Sequence, residues 1–125
     1  MLILFGLLAA GCGSADGLAR VKGTVTLKGQ LLEGAVVDFR PLEPGGSPSS
    51  GITDAEGRYL LMYNFNTAGA IEGEHVVSIR TARTIFDDQG IEHESEECVP
   101  ANYNTHTQLK RTVEAGRNTI DFELH

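Results

Sequence analysis

The chain has 125 residues, of which 41% are hydrophobic, and this length fits one domain with at most a short appendage. Ten Lys and Arg residues against 17 Asp and Glu residues give a formal net charge of -7, which disfavours a nucleic-acid partner, because phosphate binding needs clustered cations. Trp is absent and aromatic residues make up 6%, so no broad stacking platform for sugars or bases is expected, whereas 15 glycines favour a β-rich chain with many tight turns.

The first predicted element is a short apolar segment at residues 2–10. A membrane-spanning helix needs about 20 apolar residues, so this shorter segment fits the apolar region of a secretory signal. It ends in Ala9-Ala10-Gly11-Cys12, which resembles the lipobox of bacterial lipoproteins. The resemblance implies that residues 1–11 are a signal peptide, that Cys12 becomes the lipidated N-terminus, and that residues 12–19 form a tether. The alternative is a buried N-terminal strand with a chance cysteine.

From Arg20 onward, apolar and polar residues alternate with the period of two that is typical of β-strands. The first such strand leads into a hairpin turn predicted at Gly29–Gln30, and the second ends at Pro41. The residues predicted to face the core on these two strands and on a later strand are Val21, Gly23, Val25, Leu27, Ala35, Val37, Phe39, His75, Val77 and Ile79.

The later segments continue the same pattern and contain no helical period. A Pro-, Gly- and Ser-rich stretch at residues 43–51 is predicted to be a flexible loop, and Asp54-Ala55-Glu56-Gly57 to be a turn. One further strand is predicted to end at Ile52 and Thr53, and others are predicted at residues 58–65, 73–83, 107–116 and 118–125. About seven strands at this spacing predict an all-β domain over residues 20–125, folded as an antiparallel seven-stranded Greek-key sandwich.

Several short motifs in this region resemble those of carboxypeptidase regulatory-like domains. One is the Thr53-Asp54-x-x-Gly57-x-Tyr59 turn, and another is the strand that begins at Gly73. The opening pattern of the family falls on Gly23, Val25, Leu32, Gly34, Ala35, Val37 and Phe39. The end of the chain, residues 99–124, is similar to that of small bacterial lipoproteins of this type. The resemblance implies a transthyretin-like (prealbumin-like) sandwich with seven strands.

Two acidic segments are candidate cation sites. The turn that starts at Asp54 lacks the acidic residue that an EF-hand loop needs at its twelfth position, where Phe65 stands. Residues 87–98 hold many acids, His93 and Cys98, but without the ligand spacing of a zinc site. A dense run of like charge is more typical of a solvated, mobile loop. The sequence therefore predicts no metal site, and it also predicts no cofactor site and no catalytic residue.

Cys98 and the histidines are also predicted to be structural or inert. If Cys12 is lipidated, Cys98 is left as a lone thiol, and if Cys12 keeps its thiol, a Cys12–Cys98 disulfide can form. The glutamates beside Cys98 argue against a catalytic thiolate. His75 lies at a core-facing strand position, where a packed side chain is expected.

Together these features predict a non-enzymatic lipoprotein of the cell envelope. Its lipid at Cys12 would hold it to a membrane, with the sandwich on the extracytoplasmic side, either periplasmic or on the surface. Sandwiches bind through the loops at their ends, so residues 44–50 and 87–100 are the predicted contact surfaces for a protein or carbohydrate partner.

Two alternatives have different requirements. A carbohydrate- or peptide-binding accessory module of an envelope uptake or degradation system would need an exposed cluster formed by Tyr59, Tyr63, Phe65 and Tyr103. A hydrolase or metal-binding protein would need His93 or His106 to converge with carboxylates in a pocket.

Overall fold

Residues 17–125 are described by a computed structural model, and they are all-β, as predicted. The strands are β1 Leu18–Leu27, β2 Gln30–Leu31, β3 Val36–Pro41, β4 Ser49–Ile52, β5 Arg58–Leu60, β6 Met62–Asn64, β7 Thr67–Ala68, β8 Ala70–Ile71, β9 Gly73–Arg80, β10 Thr84–Phe86, β11 Glu92–Glu94, β12 Leu109–Val113, β13 Arg117–Thr119 and β14 Phe122–Leu124, with a 3₁₀ helix at Ala101–Tyr103. The described residues contain no helix of the length and apolar character that would cross a bilayer. The predicted signal peptide, Cys12 and the tether up to residue 16 lie outside the described residues.

The first sheet is built around β1, which pairs with five shorter strands. Strands β2, β5 and β8 pair with it antiparallel, whereas β13 and β14 pair with it in parallel. The registers Arg20↔Arg117 and Val25↔Phe122 have the same offset, so β13 and β14 continue one another along β1. This sheet is therefore mixed rather than purely antiparallel.

The second sheet is antiparallel throughout, in the order β12-β9-β3-β4-β6-β7. Its long strands carry branched and aromatic side chains at alternate positions, a pattern that suits a strand with one buried face. Val37 and Phe39 of β3 and Val77 and Ile79 of β9 are fully buried, as the alternation predicts.

The core lies between the two sheets. Phe39 of the second sheet meets Phe122 of the first with ring centroids 6.2 Å apart, and Phe122 also contacts Tyr59 at 6.2 Å. Val21 and Val25 of β1 are fully buried and belong to the same apolar cluster. The arrangement is sandwich-like, because each sheet buries one face against the other.

The N-terminal boundary differs from the prediction. Strand β1 begins at Leu18 rather than at Arg20, and both Leu18 and Ala19 are buried where they pair with β8. These two residues, predicted to end the tether, are therefore part of the sheet. The first hairpin turn is also displaced by one residue, since Lys28 and Gly29 have φ of 52° and 82° and Leu27 pairs with Gln30. Two positive φ values are what a two-residue hairpin turn requires.

Two other segments differ because tertiary contacts override the local pattern. The strand predicted at residues 58–65 is divided at Leu61: β5 pairs with β1 in the first sheet, whereas β6 pairs with β4 in the second. Leu61 itself is fully buried and donates its backbone N–H to the carbonyl of Val21. The loop predicted at residues 43–51 already contains the start of β4, whose Ser49 is buried.

The acidic segment that follows β9 is an exposed hairpin rather than an irregular loop. Strands β10 and β11 pair antiparallel, and all six of their residues are exposed. Asp87 organises the turn by accepting the backbone N–H groups of Gln89 and Ile91, each at 2.9 Å. The segment is solvated as predicted, but its backbone is paired.

Candidate functional site

Three cationic side chains lie together on the outer face of the first sheet. Arg20 and Lys22 alternate with the buried Val21 and are exposed to solvent. The parallel register of β13 places Arg117, also exposed, directly opposite Arg20. We call Arg20, Lys22 and Arg117 the cationic face.

A local hydrogen-bond network holds β13 in this position. The Asn118 side-chain amide donates to the carbonyls of Arg20 at 3.0 Å and Glu114 at 2.9 Å, and its oxygen accepts the N–H of Glu114 at 2.9 Å. The backbone N–H of Arg20 donates to the carbonyl of Gly116 at 2.9 Å. The position of Arg117 beside Arg20 is therefore fixed by the backbone.

An open groove of about 800 Å³ adjoins the cationic face. Its walls combine the two cations of β1 with the aliphatic side chains of Ile52 and Leu60, which are 51% and 40% exposed. Two smaller recesses extend it, one of 140 Å³ that reaches Arg117 and one of 320 Å³ beside Lys22. Cations next to exposed aliphatic groups suit a ligand that carries negative charge and some apolar surface.

The carboxylates beside the groove are already engaged. Asp54 accepts the backbone N–H groups of Arg58 and Glu56, each at 2.9 Å, and lies 3.5 Å from the Arg58 guanidinium. The hydrogen bond from the Arg58 N–H lowers the pKa of Asp54, and this effect outweighs the opposing effect of desolvation. Asp121 accepts both the N–H and the hydroxyl of Thr24, at 2.8 and 3.1 Å.

The cationic face, by contrast, has no ion-pair partner in the part of the chain that the structure describes. Among the described residues, none of its three side chains forms an ion pair with a carboxylate. The three cations are therefore not ion-paired within residues 17–125, although Asp121 lines the smaller recess with Lys22 and the chain as a whole has a formal net charge of -7. Unpaired cations of one sign on one face create a local field that attracts anions.

The motif residues behind this face are structural. A side-chain carbon at Gly23 would overlap the backbone carbonyl of Ile120. The same carbonyl accepts the Tyr59 hydroxyl at 2.6 Å, and burial raises the pKa of Tyr59 far above its usual range. Thr53 accepts the N–H of Ala35 through its hydroxyl at 2.9 Å, and Gly57 has a positive φ of 73° in the turn. These contacts connect strands, and Gly23 and Tyr59 also line the groove or its recess beside Lys22.

The predicted aromatic cluster is not formed as an exposed group. Tyr59 is 3% exposed and packs in the core, whereas Phe65 is 94% exposed. Tyr63 and Tyr103 are half-buried, and the Tyr103 hydroxyl accepts the N–H of His125 at 3.2 Å. The requirement of the carbohydrate- or peptide-binding alternative is therefore not met at Tyr59.

The histidines also lie apart from one another and do not converge in a pocket. His75 is fully buried, as expected, and its Nε2 lies 2.7 Å from the carbonyl of Ile71. His93 pairs with Asp87 at 2.9 Å on the exposed hairpin, and His106 is exposed; neither lines the groove. Within residues 17–125, no three His, Cys, Asp or Glu side chains are grouped to hold a metal ion. Cys98 is an exposed free thiol, while its possible partner Cys12 lies outside the described residues.

The predicted contact loops have different surroundings. The first loop borders a recess of about 450 Å³ lined by Pro41, Pro44 and Glu72. The second loop, residues 87–100, contains the hairpin turn and β11; its Ile91 is 53% exposed, and Phe86 of β10, just before it, is 68% exposed. The cationic face was not predicted. In the sequence, only the alternation that exposes Arg20 and Lys22 on β1 indicates this face. Arg117 is added to it by the pairing of β13 with β1, which brings together opposite ends of the chain.

No protein-family model matches the chain, and no curated protein matches it. A solved structure to which it is similar is the 9R-lipoxygenase from Cyanothece PCC8801, with a TM-score of 0.47 and 12% sequence identity. The match covers 95% of this chain but only 19% of that one, so the chain spans about a fifth of the enzyme's length.

Proposed function

We propose that this chain is a cell-envelope lipoprotein, held to a membrane by lipid at Cys12, whose β-sandwich is a binding module rather than an enzyme. The sandwich would lie on the extracytoplasmic side. The observation that carries the binding role is the cationic face, because its three cations have no acidic partner among the described residues and adjoin an open groove. A ligand with anionic groups would fit it.

The anchor is supported by the distance along the chain. Strand β1 starts at Leu18, so only residues 13–17 separate it from Cys12 in the lipobox-like sequence. Five small or polar residues suit a short tether between an acyl-bearing cysteine and a folded domain.

We infer further that the fold is the seven-stranded Greek-key sandwich of the transthyretin-like, carboxypeptidase regulatory-like type. Seven principal strands result if interrupted strands are joined: β1, β3, β4, β5 with β6, β9, β12, and β13 with β14. The matching offsets of β13 and β14 on β1 support this. The structural roles of Gly23, Gly57 and Tyr59 also suit a motif that specifies a fold and not a catalytic site.

Expression in a bacterium with lipoprotein processing tests the anchor. We expect the wild-type chain to start at Cys12, to carry added acyl mass and to sediment with membranes. Cys12→Ser should abolish both the acyl mass and the membrane association, because the thiol is the acylated group. Cys98→Ser is the matched control, since it removes the exposed thiol of Cys98 but leaves Cys12. A wild-type chain that retains Met1 and has no acyl mass would contradict the proposal.

A further inference from the structure

The cationic face lies within reach of the membrane to which the proposed anchor holds the chain. Five residues separate Cys12 from Leu18, and a fully extended chain of that length spans at most about 20 Å. Arg20 follows Leu18 by two strand positions, and Arg117 stands opposite it. The end of β1 that carries the cations is therefore the end nearest the lipid.

We propose that the cationic face docks on the anionic headgroups of the membrane, with Leu60 and Ile52 against the interface. This inference rests on the proposed lipid anchor. The match is one of charge and polarity: three cations that have no ion pair among residues 17–125 suit phosphate groups, and two aliphatic side chains beside them are half-exposed. Surfaces that combine cations with apolar groups bind anionic bilayers through both contributions.

Two carboxylates of the same sheet lie near the cationic face. Asp54 is paired with Arg58, whereas Asp121 accepts two hydrogen bonds from Thr24 and keeps its negative charge beside Lys22, so it offsets part of the positive charge. Glu123 pairs in register with Thr26, which lies six residues along β1 from Arg20. Glu123 is therefore about 20 Å from Arg20. At an ionic strength of 0.1 M that separation is about two Debye lengths, so Glu123 is screened from the docking contact.

Two of the three lysines of the chain provide a direct test. Lys22 belongs to the cationic face, whereas Lys110 is exposed on β12, the edge strand of the other sheet. The acylated full chain, checked by intact mass, is reconstituted in vesicles of phosphatidylcholine alone or with phosphatidylglycerol. A water-soluble amine-acetylating reagent is added, and the labelling rate of Lys22 relative to Lys110 is measured by mass spectrometry.

We expect Lys22 to be protected relative to Lys110 on the anionic vesicles only. Each cation near an anionic surface strengthens binding to that surface about fivefold, so Arg117→Gln should reduce the protection of Lys22 by about that factor. Arg117→Lys keeps the charge and should keep the protection. Raising the salt from 0.1 M to 1 M shortens the Debye length from about 10 to about 3 Å and should remove most of the protection.

The possible failures are distinguishable. A chain without acyl mass overturns the anchor and, with it, this inference. An acylated chain whose Lys22 is labelled equally on both kinds of vesicle overturns the docking alone. Protection on phosphatidylcholine vesicles after addition of inorganic phosphate would instead identify a site for a small free anion, and would also overturn the docking.

Discussion

Tyr59 connects the sequence motif to the packing of the core. Its hydroxyl donates to the carbonyl of Ile120 at 2.6 Å, at the point where the chain passes from β13 to β14. Its ring lies beside Phe122, and Gly23 leaves space for the same carbonyl. Burial is the main reason that the pKa of Tyr59 is raised above the ordinary value of 10.0. The protonated phenol therefore stabilises the junction between the two C-terminal strands.

Tyr59→Phe removes this hydrogen bond without removing the ring. We expect the free energy of unfolding at neutral pH to fall by about 1 kcal/mol or somewhat more, because the Ile120 carbonyl loses its hydroxyl donor. Urea unfolding followed by circular dichroism measures the change. Tyr63→Phe is the matched control, because no hydrogen bond of the Tyr63 hydroxyl is found among the described residues. Equal losses in the two variants would contradict this role for Tyr59.

Individual strands were largely predictable because their signal is local. In β3 and β9, residues two positions apart share a face, and the expected residues Phe39, Val77 and Ile79 are buried. The division at Leu61 was not predictable in this way. The residues on both sides of it have ordinary strand preferences, and only the pairing of β5 with β1 and of β6 with β4 separates them.

The β10–β11 hairpin depends on one side chain more than on burial. An isolated two-stranded hairpin with no buried residue is marginally stable. The Asp87 carboxylate compensates for the missing burial. It accepts hydrogen bonds from the backbone N–H groups of Gln89 and Ile91 and from the His93 ring, each at 2.9 Å. The hydrogen bond from His93 is the largest cause of the lowered pKa of Asp87. The ionised carboxylate therefore holds the turn closed.

Asp87→Ala should open this turn without unfolding the sandwich. We expect faster hydrogen exchange at the amides of Gln89 and Ile91, while the amides of β9 keep their protection. Asp88→Ala is the control, since no hydrogen bond to the Asp88 side chain is found in the described part of the chain. Because the pKa of Asp87 is lowered, the wild-type turn should stay closed as the pH falls to the ordinary Asp value of 3.8 and open below it. Equal exchange in both variants would show that Asp87 does not hold the turn.

At the scale of the whole molecule, charge is distributed unevenly. The cations of the cationic face come from β1 and β13, and the acidic hairpin follows the far end of β9. The composition alone, with a net charge of -7, indicates an acidic surface and conceals the cationic face. Arg20 and Lys22 were visible as the polar side of a strand, but their association with Arg117 depends on parallel pairing between the two ends of the chain. Such a pairing has no local sequence signal.

Glu97 contributes to the response of the domain as a whole to acid. Its carboxylate accepts the backbone N–H groups of Thr81, Val99 and Ala82, at 2.9, 3.1 and 3.3 Å, and so connects β9 to the segment after the hairpin. Desolvation raises its pKa, but these hydrogen bonds outweigh that effect and lower it below the usual value of 4.5. The stabilisation is therefore complete above that value and is lost as the pH falls through the lowered pKa.

Glu97→Gln replaces one accepting oxygen by a donor. We therefore expect the substitution to lower the free energy of unfolding by about 1 kcal/mol at neutral pH and to weaken the dependence of stability on acid pH. Urea unfolding between pH 3 and 7 measures both effects, with Glu96→Gln as the neighbouring control. Stability of the wild-type domain that rises as the pH falls below 4.5 would contradict the assignment.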